Sequence, residues 1–190
     1  MKKIFLSLLF VGMTVSMVNA QQVISSSSSS NPNLGNFENE VKINFLNLIL
    51  LGSFEVGYER FLSENHSLDL QLHINDRFGY NSQGNGKNYK TNAVQAGMNF
   101  YFGDNSNGRF HLYPFMKFRF GDFEEPGDGG VVITDMTAFI FGAGVGYKFE
   151  VSEQFAFGPY VSVARNFSEA VNDKFASIEL NGGFSLGYRF

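Results

Sequence analysis

From residue 41 onward, apolar and polar side chains alternate with a period of two, in stretches of about ten residues separated by turn-rich connections. The stretch 67–80 is the clearest. Leu68, Leu70, Leu72 and Ile74 share one face, while Asp69, Gln71, His73, Asn75 and Arg77 share the other. A helix would scatter these residues around its circumference, so the pattern predicts a strand. Eight such segments follow one another: 41–51, 54–62, 67–80, 91–102, 109–120, 136–149, 155–167 and 178–190. In the sixth, Phe139, Phe141, Ala143, Val145 and Tyr147 oppose Gly142, Gly144, Gly146 and Lys148. The first is ambiguous, because 46–51 is apolar on both faces. Pro114 and Pro159 each lack an N–H, which predicts a bulge or a missing ladder bond at both.

The connections alternate in length. Those at 63–66, 103–108 and 150–154 are short, whereas 81–90, 121–135 and 168–176 are longer and polar; only 52–53 breaks the rhythm by being very tight. Short turns at one end and long loops at the other point to a transmembrane barrel, all-β, eight-stranded, antiparallel and up-and-down. A soluble ligand-binding barrel is the competing architecture, with apolar residues inside and charged ones outside. Here the polar face mixes Gly, Ser, Asn, Gln and Ala with a few charges, which suits a crowded narrow interior better than a solvated surface. Aromatics collect at the segment ends. Phe102, Phe110, Phe149, Phe155, Tyr188 and Phe190 fall at the end of the short turns, and Phe54, Phe78, Phe118, Phe120, Phe139 and Phe141 at the opposite end. Two girdles of this kind are expected at membrane interfaces.

The amino terminus has a different character. Residues 1–20 carry Lys2 and Lys3, a mostly apolar run over 4–18 and the small-residue site Val18-Asn19-Ala20, the pattern of a cleaved export signal. The apolar run is shorter than the ~20 residues of a spanning helix. Residues 21–40, with an unbroken serine run over 25–30, read as a flexible linker ahead of a barrel at 41–190. Loss of Lys2 and Lys3 with the signal shifts the formal net charge from −4 to −6. An acidic chain is no default nucleic-acid binder. The absence of cysteine removes disulfides, thiolate metal sites and cysteine nucleophiles.

With those residues in hand, the chain resembles the small eight-stranded outer-membrane proteins of Gram-negative bacteria, of the OmpA-barrel, OmpX and OmpW type. The last segment carries much of the resemblance: Phe184, Leu186, Tyr188 and Phe190 alternate and end on an aromatic. In that family such a strand is the assembly signal read by the outer-membrane insertion machinery. The segment Gly52-Ser-Phe-Glu-Val-Gly-Tyr-Glu-Arg60 is similar to an early hairpin of small barrels of this class. The resemblance implies outer-membrane lipids and that machinery as partners, an outer-membrane location, and a monomer.

The polar face places ten charges in the lumen: Glu55, Glu59, Asp69, Arg77, Arg109, Lys117, Arg119, Lys148, Glu179 and Arg189. Charges removed from water are costly unless paired and hydrogen-bonded, so a lumen filled by ion pairs is expected, with a gated narrow pore as the alternative. An acyl-transferring or hydrolysing enzyme would need a nucleophile beside a histidine and an acid. His66 falls in a short turn, while His73 and His111 face the lumen at different heights, so neither catalysis nor a shared metal is expected. The run Gly142-Ala-Gly-Val-Gly146 precedes no helix and is one strand face, not a phosphate loop. The acidic stretch 121–130 lacks EF-hand spacing. No cofactor is expected. The sequence therefore predicts a structural or surface-interacting barrel, with a narrow solute or hydrophobic-ligand carrier second and a lipid-modifying enzyme third.

Overall fold

The computed structural model describes residues 37–78, 84–103 and 108–190. The export signal, most of the linker, Tyr80 and the tips 81–83 and 104–107 lie outside the described residues. In chain order the elements are β1 (Asn39–Asn44), α1 (Phe45–Leu51), β2 (Phe54–Ser63), β3 (His66–Ile74), β4 (Asn88–Phe102), β5 (Gly108–Gly127), β6 (Gly130–Asp135), β7 (Ala138–Glu150), β8 (Phe155–Asn166), α2 (Glu169–Lys174) and β9 (Ile178–Arg189). Every ladder is antiparallel. β1 pairs with both β2 and β9, and β4 pairs with β5, which closes a ring of eight strands; β6 stands outside it, paired to the far half of β5.

The two faces are inverted relative to a soluble protein. The outward row Leu68, Leu70, Leu72 and Ile74 is exposed, as are Val94, Met116, Phe141, Val161 and Leu180 around the ring. Arg119, Arg189 and Glu59 are each 0% exposed. A continuous apolar exterior around a charged interior requires lipid as the surrounding solvent. The aromatics of the turn end, Phe102, Phe110, Phe149, Phe155, Tyr188 and Phe190, all face outward. At the loop end Phe54, Phe118, Phe120, Phe139 and Phe141 do the same, but Phe78 does not. It turns inward and stacks on Phe175 with ring centroids 4.9 Å apart.

Four local expectations are corrected. The first segment is not one strand: β1 ends at Asn44 and the doubly apolar run becomes α1, capped by the Asn44 side chain and closed by Gly52 at φ +66°. The linker ends earlier than residue 40, since Asn39 and Glu40 already pair in β1. The stretch 121–135 is no loose loop but the β5–β6 hairpin, and 168–176 contains α2. The expectation at the prolines holds in its second form, a missing ladder bond: both interrupt a ladder without shifting its register. Pairing of β4 with β5 skips from Gly97↔Phe115 to Phe100↔Leu112, and that of β7 with β8 from Gly146↔Tyr160 to Phe149↔Phe157.

The glycine face of β7 exists for close approach. Gly142, Gly144 and Gly146 are the register partners of Phe115, Tyr113 and His111, whose rings point inward from β5 and occupy the space a Cβ would need. At Gly142 an added Cβ would meet the Ala164 Cβ at 2.6 Å, the Phe115 ring at 2.7 Å and the Val163 carbonyl at 2.7 Å. Gly142→Ala is therefore expected to cost about 1–3 kcal/mol through overpacking. Gly129→Ala, with nothing within 4 Å, should be nearly silent. Urea unfolding of the reconstituted protein, followed by heat-dependent gel mobility, checks both.

Candidate functional site

The lumen is filled in layers. Nearest the turn end, eight side chains from six strands form one unbroken chain of alternating charge. Arg109 of β5 meets Glu150 of β7 at 3.0 Å, and Glu150 meets Arg189 of β9 at 3.1 Å. Arg189 meets Glu40 of β1 at 3.0 Å, and Glu40 meets Lys148 of β7 at 2.9 Å. Lys148 meets Glu59 of β2 at 2.8 Å; Lys42 of β1 then bridges Glu59 at 3.2 Å and Asp69 of β3 at 2.9 Å. Four cations and four carboxylates balance. Glu59 is the node, because it also accepts hydrogen bonds from the Ser67 and Tyr101 hydroxyls. The Arg109 guanidinium lies 4.4 Å from the Tyr101 ring centroid and also donates to the Glu64 carbonyl of the β2–β3 turn.

Toward the loop end a second, closed set of four charges repeats the principle. Lys117 and Arg119 of β5 each contact both Asp76 and Glu179, at 3.3 and 3.1 Å for the lysine and 2.6 and 2.7 Å for the arginine. Above this square sits an apolar plug of Phe78, Tyr89, Phe123, Met136 and Val171, with Phe175 packed against it. α2 exists to deliver Val171, which is fully buried.

Nine of the ten lumenal charges expected from the sequence are buried inside the ring; Arg77 is not, being only half-buried beyond the end of β3. Asn75 adopts φ +57°, a left-handed step that shifts the parity of the chain by one and turns Asp76 inward in its place. Glu40, Lys42 and Glu150 are further members that the sequence reading passed over. Glu150 was visible two residues beyond Lys148, and Glu40 and Lys42 alternate with Val41 and Ile43. Their signal was masked because they sat in a stretch read as linker, an ambiguous segment and a turn.

Glu55 has a different environment. Its carboxylate accepts from Asn44 Nδ2 at 2.8 Å, from Asn47 Nδ2 of α1 at 2.8 Å and from the Tyr160 hydroxyl at 2.9 Å, with His73 Nδ1 at 3.7 Å. Between the two ionic layers lies a chamber of about 50 Å³, bordered by Glu55, His73, Asp69, Gln71, Gln95 and Asn99. His66 lies at the opposite end, where Ser63 Oγ and His66 Nδ1 sit 3.1 Å apart across an exposed turn. Among the described residues, no group of three or more His, Cys, Asp or Glu is arranged to hold a metal ion.

Outside the ring, the β5–β6 hairpin extends from Asp122↔Asp135 to Gly127↔Gly130. No strand among the described residues pairs with the far edge of β6, and Val131, Val132 and Ile133 are all exposed. Lys90 pairs with Glu124 at 2.7 Å and Lys174 with Glu125, tying the hairpin to β4 and α2. Donors of Thr137, from its side chain and then its backbone, hold the Asp135 carboxyl below its ordinary value.

No family model matches the sequence, and no curated protein does. Solved structures do. The N-terminal β-barrel domain of Pseudomonas aeruginosa OprF is 13% identical with a TM-score of 0.54, over 80% of this chain and 96% of that one. Neisserial surface protein A is 11% identical with a TM-score of 0.48, over 80% and 91%; Ail, the attachment invasion locus protein of Yersinia pestis, is 15% identical with a TM-score of 0.47, over 81% and 99%. The likeness to the OprF barrel shows the fold, that of the eight-stranded outer-membrane β-barrels.

The ionic chain generates a contrast in stability. Glu59→Ala strips a buried node from Lys42 and Lys148 and is expected to cost about 3–5 kcal/mol. Arg60→Ala breaks only exposed rim contacts, the pair with Glu38, where the two side chains are 44% and 63% exposed, and a hydrogen bond to Asn39 Oδ1, and should cost no more than about 1 kcal/mol. Denaturant titration in detergent micelles measures both.

Proposed function

We propose that this chain is an outer-membrane barrel of a Gram-negative bacterium whose role is structural and surface-directed rather than solute-conducting. The observation that carries the reading is the division of the molecule: a lumen occupied by twelve paired charges and an apolar plug, and a hairpin that projects beyond the ring with an apolar edge that no strand among the described residues pairs. A lumen closed by side chains leaves no continuous water column. An exposed strand edge is a ready template for pairing with another extended segment. The surrounding Asp122, Asp128 and Asp135 favour a partner of basic character.

The proposed membrane orientation follows the loops. The long connections face outward from the cell, and both chain ends face the periplasm. Leu186, Tyr188 and Phe190 lie on the lipid face of β9, available to the insertion machinery proposed to read them, while Phe184 is half-buried against Phe45.

The decisive experiment combines fractionation with access from outside. The protein should sediment with outer membranes and show a heat-shifted gel band. A cysteine placed at Gly129 should label with a membrane-impermeant maleimide on intact cells. In planar bilayers the purified protein should give no stable openings. Recovery in the soluble periplasm defeats the barrel reading, and ion-selective conductance defeats the filled lumen.

A further inference from the structure

One-eighth of the barrel wall is not sheet at its loop end. The β1–β9 ladder stops at Asn44↔Ser185, and β1 meets β2 no farther than Ile43↔Val56. Beyond that level, residues 178–184 of β9 have no ladder partner on that side among the described residues, and at the foot of this slot Phe54 and Glu55 of β2 stand opposite, one strand away. A missing strand leaves two strand spacings, about 9.6 Å. A helix with its side chains is about 10–12 Å across, and it satisfies its own backbone in hydrocarbon, where an open strand edge is not tolerated. α1 fits that slot on both counts. Its Leu48, Ile49 and Leu50 face outward, Ile49 being 73% exposed, and Phe45 packs edge-on to Phe184 with centroids 5.3 Å apart.

What fastens α1 is polar and lies on its inner side. Asn47, 1% exposed, donates to Glu55, and so do Asn44 at the helix start and Tyr160 from β8. Directly behind this latch is the lumenal chamber, whose border includes Asn44, Glu55, Asn181 and Ser185. Buried polar groups inside it keep unused hydrogen-bonding capacity. Both ring nitrogens of His73, which is 2% exposed, and Oδ1 of Asp69, which is 4% exposed, make no hydrogen bond among the described residues.

We propose that α1 is a lateral lid and that the chamber behind it receives the uncharged, hydroxylated head of a single-chain amphiphile, whose acyl chain leaves through the slot into the lipid. Each part follows from the lining. Glu55 and Asp69 oppose an anionic head, and Lys42 and Lys148 oppose a cationic one. Amides, imidazole and carboxylate offer the mixed donors and acceptors that hydroxyls use. A volume of about 50 Å³ holds roughly three or four waters, so a head with two hydroxyls and an ester carbonyl can take their places. The apolar outer face of α1 and the lipid beyond the slot accommodate one chain.

The test uses the full chain, free of native cysteine, in lipid nanodiscs, with a monoacylglycerol carrying a diazirine on its acyl chain. Irradiation should place adducts on residues 45–56 and 181–185. Glu55→Gln sets an amide against the Asn amides; it should raise the reaction rate of a cysteine at Ser53, which is 1% exposed at the foot of α1, with a maleimide by about fivefold, the shift expected from one lost hydrogen bond. His73→Phe should abolish capture. Joining cysteines at Phe45 and Phe184 with a short thiol cross-linker should abolish capture until the linker is cleaved. Heat-shifted mobility confirms that each variant is folded. Adducts spread evenly around the lipid face, or capture unaffected by the tether, would overturn the proposal, whatever the conductance experiment shows. Equal capture of oleic acid would overturn the uncharged-head assignment.

Discussion

A ring of eight strands is too narrow to hold bulk water, so the charged side chains that point inward must be satisfied by other side chains. That requirement organises the molecule. Two arginines, two lysines and four carboxylates at the turn end meet it by alternating in a chain in which each interior member touches two opposite charges. The four-charge square at the loop end meets it in a closed loop. Neutrality within each layer matters more than any single pair, because an unmatched ion in this setting has no water to fall back on. The strands are thereby cross-linked through the lumen as well as around the wall: Lys148 ties β7 to β1 and β2, and Arg119 ties β5 to β9 and the end of β3.

The wall answers a second demand, that no backbone group be left unpaired in hydrocarbon. Most of the ring does so by antiparallel pairing. Pro114 and Pro159 each remove one bond and are accommodated without a change of register. At α1 a helix bonds along its own backbone, while the flanking edge of β9 has no ladder partner on that side among the described residues. The cost is that α1 joins the wall through side chains alone, chiefly those gathered at Glu55. The weakest part of the wall thus lies beside the one chamber described between the ionic layers.

Much of this architecture was legible in residue order. Period-two alternation in Leu68–Ile74 and in the Phe139–Tyr147 series fixed strands and told the lipid face from the lumen, since side chains on a strand alternate by geometry alone. Nine of the ten charges that parity places in the lumen are buried there. One exception arises because parity counts only while the backbone stays extended. Asn75 leaves the extended region, so Asp76 replaces Arg77 inside. Residues 46–51 carry apolar groups on both faces, which alternation cannot resolve; only the slot beside β9 makes the helix the better solution. Phe78 and Phe175 looked like surface or loop residues because their burial depends on each other and on Tyr89 and Phe123, brought together from the β3–β4, β5–β6 and β8–β9 connections.

The sequence by itself determined the fold class, the two faces of the wall and the need for a charge-balanced interior, because each follows from local alternation and from the energetics of burying ions. Only the tertiary structure decided which charges meet, that the loop end is stoppered by rings, that 121–135 stands up as a hairpin, and that a helix completes the wall. Those outcomes depend on shear, closure and contacts between residues far apart in the chain. No local pattern encodes them.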